Sequence, residues 1–302
     1  MLSFIIFTLF ILLYKSIEHL KYILDKMESK RQRREVDYHE NDIILPYNAH
    51  KTSDWTTKIT NIMHIRVKNH DIFQLPTDYE PKDIHLDCIT DDLWKGYIDI
   101  EQLPITDEYK TLVDEVKTVY DANNNLAEYY VDTYVYTLFH IMKLNNYPLS
   151  INAQHVLEVD IGETEEHIVS VPDFIIRSRK SKMLVVVEDK NTTNAKFVNQ
   201  WKENQVMGEI FVAAHNMRIM KPSELYAIRI IGTLFTFYKA FVTPEYIKES
   251  LLGPPEENYM EIQRYPDPGT SVYQINALDL CKLEDRKIII EYLSRISNEL
   301  RF

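Results

Sequence analysis

The sequence predicts a mixed α/β fold, of the α+β kind with helices packed on a mixed sheet, and three observations carry that prediction. Short β-branched and aromatic runs occur in pairs, 174–176 with 183–187 and 225–231 with 234–242, separated by polar or glycine-bearing turns. Such pairs read as antiparallel hairpins. Two longer stretches, 122–144 and 197–215, instead place apolar residues at steps of three and four, the spacing of a helix face. The 302 residues are 45% hydrophobic and 26% charged, enough apolar material for a sizeable core in one large domain or two small ones.

Composition also removes whole classes of chemistry. The six glycines are scattered, so neither a phosphate-cradling loop nor a dinucleotide fingerprint is present. No HExxH occurs among the ten histidines, and no GxSxG occurs at all. Cys88 and Cys281 are too few for a zinc site of their own and suggest no disulfide framework, which makes an intracellular, reducing compartment the expectation. A net charge of −12 argues against a protein that coats nucleic acid by charge alone.

Taken in order, residues 1–34 open with an apolar run of about thirteen, short of the roughly twenty needed to span a bilayer. Ile17, Leu20, Ile23, Leu24 and Met27 continue it at helical spacing into a basic cluster at 30–34. Two readings stand side by side: a membrane anchor through residues 2–24 with the basic cluster on the cytosolic side, and a helix packed on the body of the protein or on a second copy as a homodimer. The basic cluster also reads as a nuclear-import patch. Residues 35–118 are punctuated by Pro46, Pro76, Pro81 and Pro104 and read as an irregular segment on the core. His64, His70, His85 and Asp87 follow no metal-ligand spacing. A short helix is expected over 107–119 and a longer one over 122–144, with Leu126, Tyr130, Tyr134, Leu138 and Ile141 facing the core. On the neighbouring face Glu128 and Asp132 stand one turn apart.

The alternating stretch 154–161 reads as the first core strand, with Glu158 and Asp160 on its exposed face, from which they could also join a second metal. After a charged turn the next strand begins at Ile168 and leads into VPDFIIRSRKSKMLVVVEDK, residues 171–190. Folding this stretch about the midpoint of Lys180 and Ser181 pairs residues whose numbers sum to 361. Asp173 and Glu188 then become cross-strand neighbours at the open mouth of the hairpin, about 5 Å apart at Cβ. Strand alternation puts Glu188 and Lys190 on one face and Asp189 on the other. Two unpaired carboxylates so close repel unless a hard divalent cation lies between them.

Pro172-Asp173 followed by Glu188-Asp189-Lys190 at the mouth of a hairpin resembles the PD-(D/E)XK nuclease superfamily, and possible branches are the crinkler-like and RecB-like ones. The resemblance implies a restriction-endonuclease-like α-β-β-β-α-β core, here 119–245, between the 35–118 region and a 246–302 extension. It implies Mg²⁺ or Mn²⁺ held by Asp173 and Glu188, joined by the carbonyl of Asp189 and by an acid from the preceding helix. Glu128 is matched to that acid and Asp132 competes for it. Lys190 would stand beside the attacking water. In the RecB-like branch a glutamine of the next helix reaches back to the site; Gln205 matches it, with Gln200 second, although Glu209 replaces the tyrosine usual four residues on. That helix is expected over 197–215 after the polar turn 191–194, with Gly208 and Ala213-Ala214 allowing close packing on the sheet.

Strands over 225–231 and 234–242, hinged at Gly232, complete the core. The extension shows a proline-rich loop at 253–255, a strand-like patch near Tyr273 and an amphipathic helix over 284–300, and is expected to cover one sheet edge. The function expected is hydrolysis of phosphodiester bonds in nucleic acid, with DNA ahead of RNA as partner. The basic turn of Arg177, Arg179, Lys180 and Lys182, with Lys196 and Lys202, would supply phosphate contacts. The alternative is a catalytically silent binding or scaffolding protein of the same fold, tethered to a membrane or acting as an effector.

Overall fold

Strands that read as unbroken apolar runs are buried on both faces, and that burial dictates a sheet covered by helices on each side. A computed structural model describes residues 47–69, 88–122, 129–162, 167–179, 183–189, 203–217, 219–268 and 276–301, with the backbone alone for 47–48 and 184–189. The helix expected within 1–34 lies outside the described residues. Among the described residues, no helix is long and apolar enough to cross a membrane.

The fold is mixed α/β. The first elements are α1 (Thr57–Ile62), β1 (Ile65–Asn69), α2 (Asp91–Trp94), α3 (Asp107–Asp121) and α4 (Tyr129–Ile141). Then come β2 (Leu149–Ala153), β3 (Leu157–Asp160), β4 (His167–Ser170), β5 (Phe174–Ser178), β6 (Met183–Asp189) and α5 (Glu203–His215). The chain continues through β7 (Ser223–Ile231), β8 (Leu234–Val242), α6 (Pro244–Leu252), β9 (Met260–Tyr265), β10 (Leu278–Asp279) and α7 (Leu283–Arg301). The main sheet runs β1-β9-β8-β7-β6-β5-β2, with β10 also on β8. It is parallel at β1–β9 and at β6–β7 and antiparallel elsewhere. The parallel step from β6 to β7 needs a crossover, and α5 lies within it.

Alternation along the strands divides the core. Phe174, Ile176, Tyr226, Ile228, Ile230 and Phe237 face one cluster with α3, α4 and α7. Ile175, Leu225, Ala227, Tyr238, Ala240 and Ile262 face the other, with α5. Nine consecutive residues of α5, Val206 to Ala214, are buried. A helix hidden all round needs cover on its outer side as well. Residues of the 35–118 region supply that cover, through Ala49, Trp55, Ile59 and Met63, together with Leu157, Val159 and Ile168 of the β3–β4 hairpin.

Several expectations need correction. The stretch 154–161 does not join the main sheet: among the described residues β3 pairs only with β4, in a separate two-stranded sheet, and β2 is the strand beside β5. Gln154, with φ 47° in the left-handed region, turns the chain between β2 and β3. The strand expected from Ile168 breaks between β4 and β5, where Pro172 has no N–H to give to a ladder. The β5–β6 register pairs Phe174 with Val186 and Arg177 with Met183, sums of 360 rather than 361. Counting on from the last pair sets Asp173 level with Val187, not Glu188. The 35–118 region contributes a sheet strand, β1, parallel to β9. The extension contributes β9 itself, while the patch near Tyr273 lies outside the described residues.

Gly208 faces the cover rather than the sheet. A Cβ there would stand 2.8 Å from Trp55 Cδ2 and 3.0 Å from Thr52. Trp55 is held by its Nε1–H donating to the Ala49 carbonyl at 3.0 Å and by the Phe211 ring 5.5 Å away. Gly208→Ala should therefore cost about 1–2 kcal/mol net, overpacking outweighing the roughly 1 kcal/mol that alanine gains in a helix. Urea unfolding checks this, and a raised midpoint would contradict the close approach.

Candidate active site

The site is set by how α4 sits on the sheet. Val131, Tyr134, Val135, Leu138 and Phe139 give α4 its buried face. Tyr134 Oη donates to the carbonyl of Gly232, in the β7–β8 turn, at 2.5 Å. Phe139 meets Phe174 edge to face, with ring centroids 6.1 Å apart. This edge contact anchors the helix over the start of β5, one residue from Asp173. At the same point the Gln154 N–H donates to the Asp173 carbonyl at 2.9 Å, tying the end of β2 to the bend before β5.

Between α4 and this corner lies a cleft of about 420 Å³ lined by Asp132, Asp173, Gln154, Thr133, Tyr129 and Tyr136, among others. Asp132 and Asp173 are both half-buried, and Pro172 beside the latter is buried. Of the two helix acids weighed from the sequence, Asp132 is the one seen in the cleft. Glu128 lies outside the described residues, as does Lys190. β6 continues through Glu188 and Asp189, paired there with Ile230 and Ile231 of β7, beyond the last β5 pair at Phe174 and Val186. The backbone at 188–189 thus emerges at the end of the sheet where Asp173 stands; the side chains of Glu188 and Asp189 are outside the described residues.

Gln205 is half-buried on α5, across the sheet from α4, and its amide donates to the Glu209 carboxylate at 2.9 Å. Glu209 is itself buried. The same face carries a second polar cluster. The Glu203 carboxylate accepts from Arg264 Nε at 2.6 Å and from Tyr238 Oη at 3.1 Å. Burial, reinforced by the Glu203 charge, pushes the Tyr238 hydroxyl far above its ordinary value. It therefore stays a neutral donor at any working pH.

Of the basic turn, Arg177 and Arg179 are described. The Arg179 guanidinium lies 5.0 Å from the centroid of the Tyr147 ring, near the start of β2 and away from the Asp173 corner. Glu158 and Asp160 belong to the separate hairpin, where Asp160 meets His167, and neither lines the cleft.

The donor types in the cleft are carboxylate, amide and hydroxyl oxygens, which suit a hard cation such as Mg²⁺ or Mn²⁺. Among the described residues, no three His, Cys, Asp or Glu side chains are grouped so as to hold a metal unaided. Sequence reasoning reached Asp173 and named Asp132 as a rival to Glu128, but it passed over Tyr129, Thr133, Tyr136 and Gln154. For the three on α4 the signal was available, since positions 129, 132, 133, 136 and 137 share one face at helical spacing, whereas nothing local marks Gln154. No family model and no curated protein sequence matches this chain.

Proposed function

We propose that the chain is a metal-dependent nuclease of the restriction-endonuclease-like kind, with its active centre in the Asp132–Asp173 cleft. The observation that carries this reading is that an acid of α4 and the acid opening β5 line one cleft at the end of the sheet toward which β6 runs through Glu188 and Asp189. The order α4, β2, β5, β6, α5, β7 supports it, since it follows the α-β-β-β-α-β order once the β3–β4 hairpin is set aside as an insertion.

In this reading Asp173, Glu188 and the Asp189 carbonyl would hold Mg²⁺ or Mn²⁺, with Asp132 taking the helix-acid role for which Glu128 is the other candidate. The bound cation would lower the pKa of a water and neutralise charge growing on the phosphate oxygens. Lys190 would orient that water and donate to the developing charge. Gln205, held by Glu209, would act on the other side of the sheet end.

The metal part is tested by thermal unfolding of the full chain with and without Mn²⁺. At about 100-fold over its Kd, Mn²⁺ should raise the midpoint by about 5 °C, and Asp173→Asn should lose that rise. A wild type that gains nothing from the metal would remove the metal-site reading.

A further inference from the structure

The lining of the cleft between and around its acids bears on what it takes. Tyr129, Asp132, Thr133 and Tyr136 line it together. Tyr129 and Tyr136 are seven residues, or two helical turns, apart on α4, about 10.5 Å along the axis, with Asp132 between them. Both residues are exposed to solvent, at 56% and 48%. Tyr129 is backed by the Tyr130 ring, with centroids 4.1 Å apart. Other tyrosines are equally exposed; these two are distinguished by flanking an acid inside the cleft.

Resting on the nuclease reading above, we propose that the cleft takes an unpaired nucleic-acid strand, with bases stacked on Tyr129 and Tyr136 and the phosphate between them brought to Asp132 and Asp173. In a duplex the base faces are already stacked on one another and cannot reach a protein ring. An unpaired strand offers them freely, and aromatic stacking holds successive bases without regard to sequence. Charge points the same way. A chain of net charge −12 attracts phosphates poorly at long range, so stacking contacts indifferent to charge add to what a cation held by the two acids would supply.

The test is Mn²⁺-dependent cleavage by the full chain of one end-labelled oligonucleotide that carries a stem and an unpaired tail. The tail is cut at least about tenfold faster than the stem. The Tyr129→Ala/Tyr136→Ala protein loses that preference, whereas Tyr129→Phe/Tyr136→Phe, which keeps both rings, retains it. Equal cutting of tail and stem by wild type, or a preference that survives the alanine pair, overturns the proposal and leaves the nuclease reading standing. No cutting of either part by wild type overturns both.

Discussion

Arg286→Met is expected to lower the unfolding free energy by about 3 kcal/mol, through lost hydrogen bonds rather than lost volume. Arg286 is 3% exposed, in the first turn of α7. Its Nη1 donates to the Leu280 carbonyl at 3.1 Å and the Cys281 carbonyl at 3.3 Å, and its Nη2 to the Ile89 carbonyl at 2.5 Å. One side chain thus joins α7, the end of β10 and the segment before α2. Methionine fills much of the space but donates nothing. The Cys281 carbonyl keeps the Trp94 Nε1–H at 2.7 Å, whereas those of Leu280 and Ile89 lose a charged donor. Lysine should not restore stability, because one ammonium cannot reproduce the fork. Urea unfolding of both variants checks this, and a midpoint unchanged from wild type in Arg286→Met would contradict it.

The second large effect is on pH dependence. His215 closes α5 with its Nδ1 2.8 Å from the Phe211 carbonyl and its Nε2 2.9 Å from Ser250 Oγ. Burial pushes its pKa down from 6.5 to about 4, outweighing the upward pull of the Phe211 carbonyl. The unfolded chain therefore binds a proton near pH 6.5 that the folded chain refuses until about pH 4. Stability is full above pH 6.5 and falls across that window, by roughly 2–3 kcal/mol once partial solvent access to the ring is allowed for. His215→Gln should flatten this part of the profile. Urea midpoints from pH 7.5 to 4 read it, and a variant with the same slope as wild type would rule out His215 as its source.

The paired β-branched runs placed β5, β6, β7 and β8, because such runs have few other ways to bury both faces. Sheet membership was harder to read. The stretch 154–161 alternates well and does contain a strand, but alternation is local and does not say which neighbour a strand takes. β2, with Ser150 and Asn152 in five residues, has a weaker strand pattern and was passed over. β9 was hidden by its polar positions: Arg264 is buried there because Glu203, far away in sequence, and the Pro266 carbonyl accept its hydrogen bonds. The register missed by one because the basic turn gives no glycine or asparagine to define its type. In the candidate cleft, Asp173 is marked by its motif and Asp132 by its spacing from Glu128. Tyr129 and Tyr136 look like an ordinary exposed helix face until the β2–β5 corner is set against them.

The proposed function requires Asp132 and Asp173 to serve one hydrolytic centre. The most direct measurement is cleavage of a labelled oligonucleotide by the full chain in Mn²⁺, comparing wild type with Asp132→Asn and Asp173→Asn. Wild type should cut, and each variant should fall by at least about 100-fold, the scale on which groups that stabilise transition-state charge matter, with folding intact by circular dichroism. Variants that cut as fast as wild type, or a wild type that cuts nothing, would contradict it.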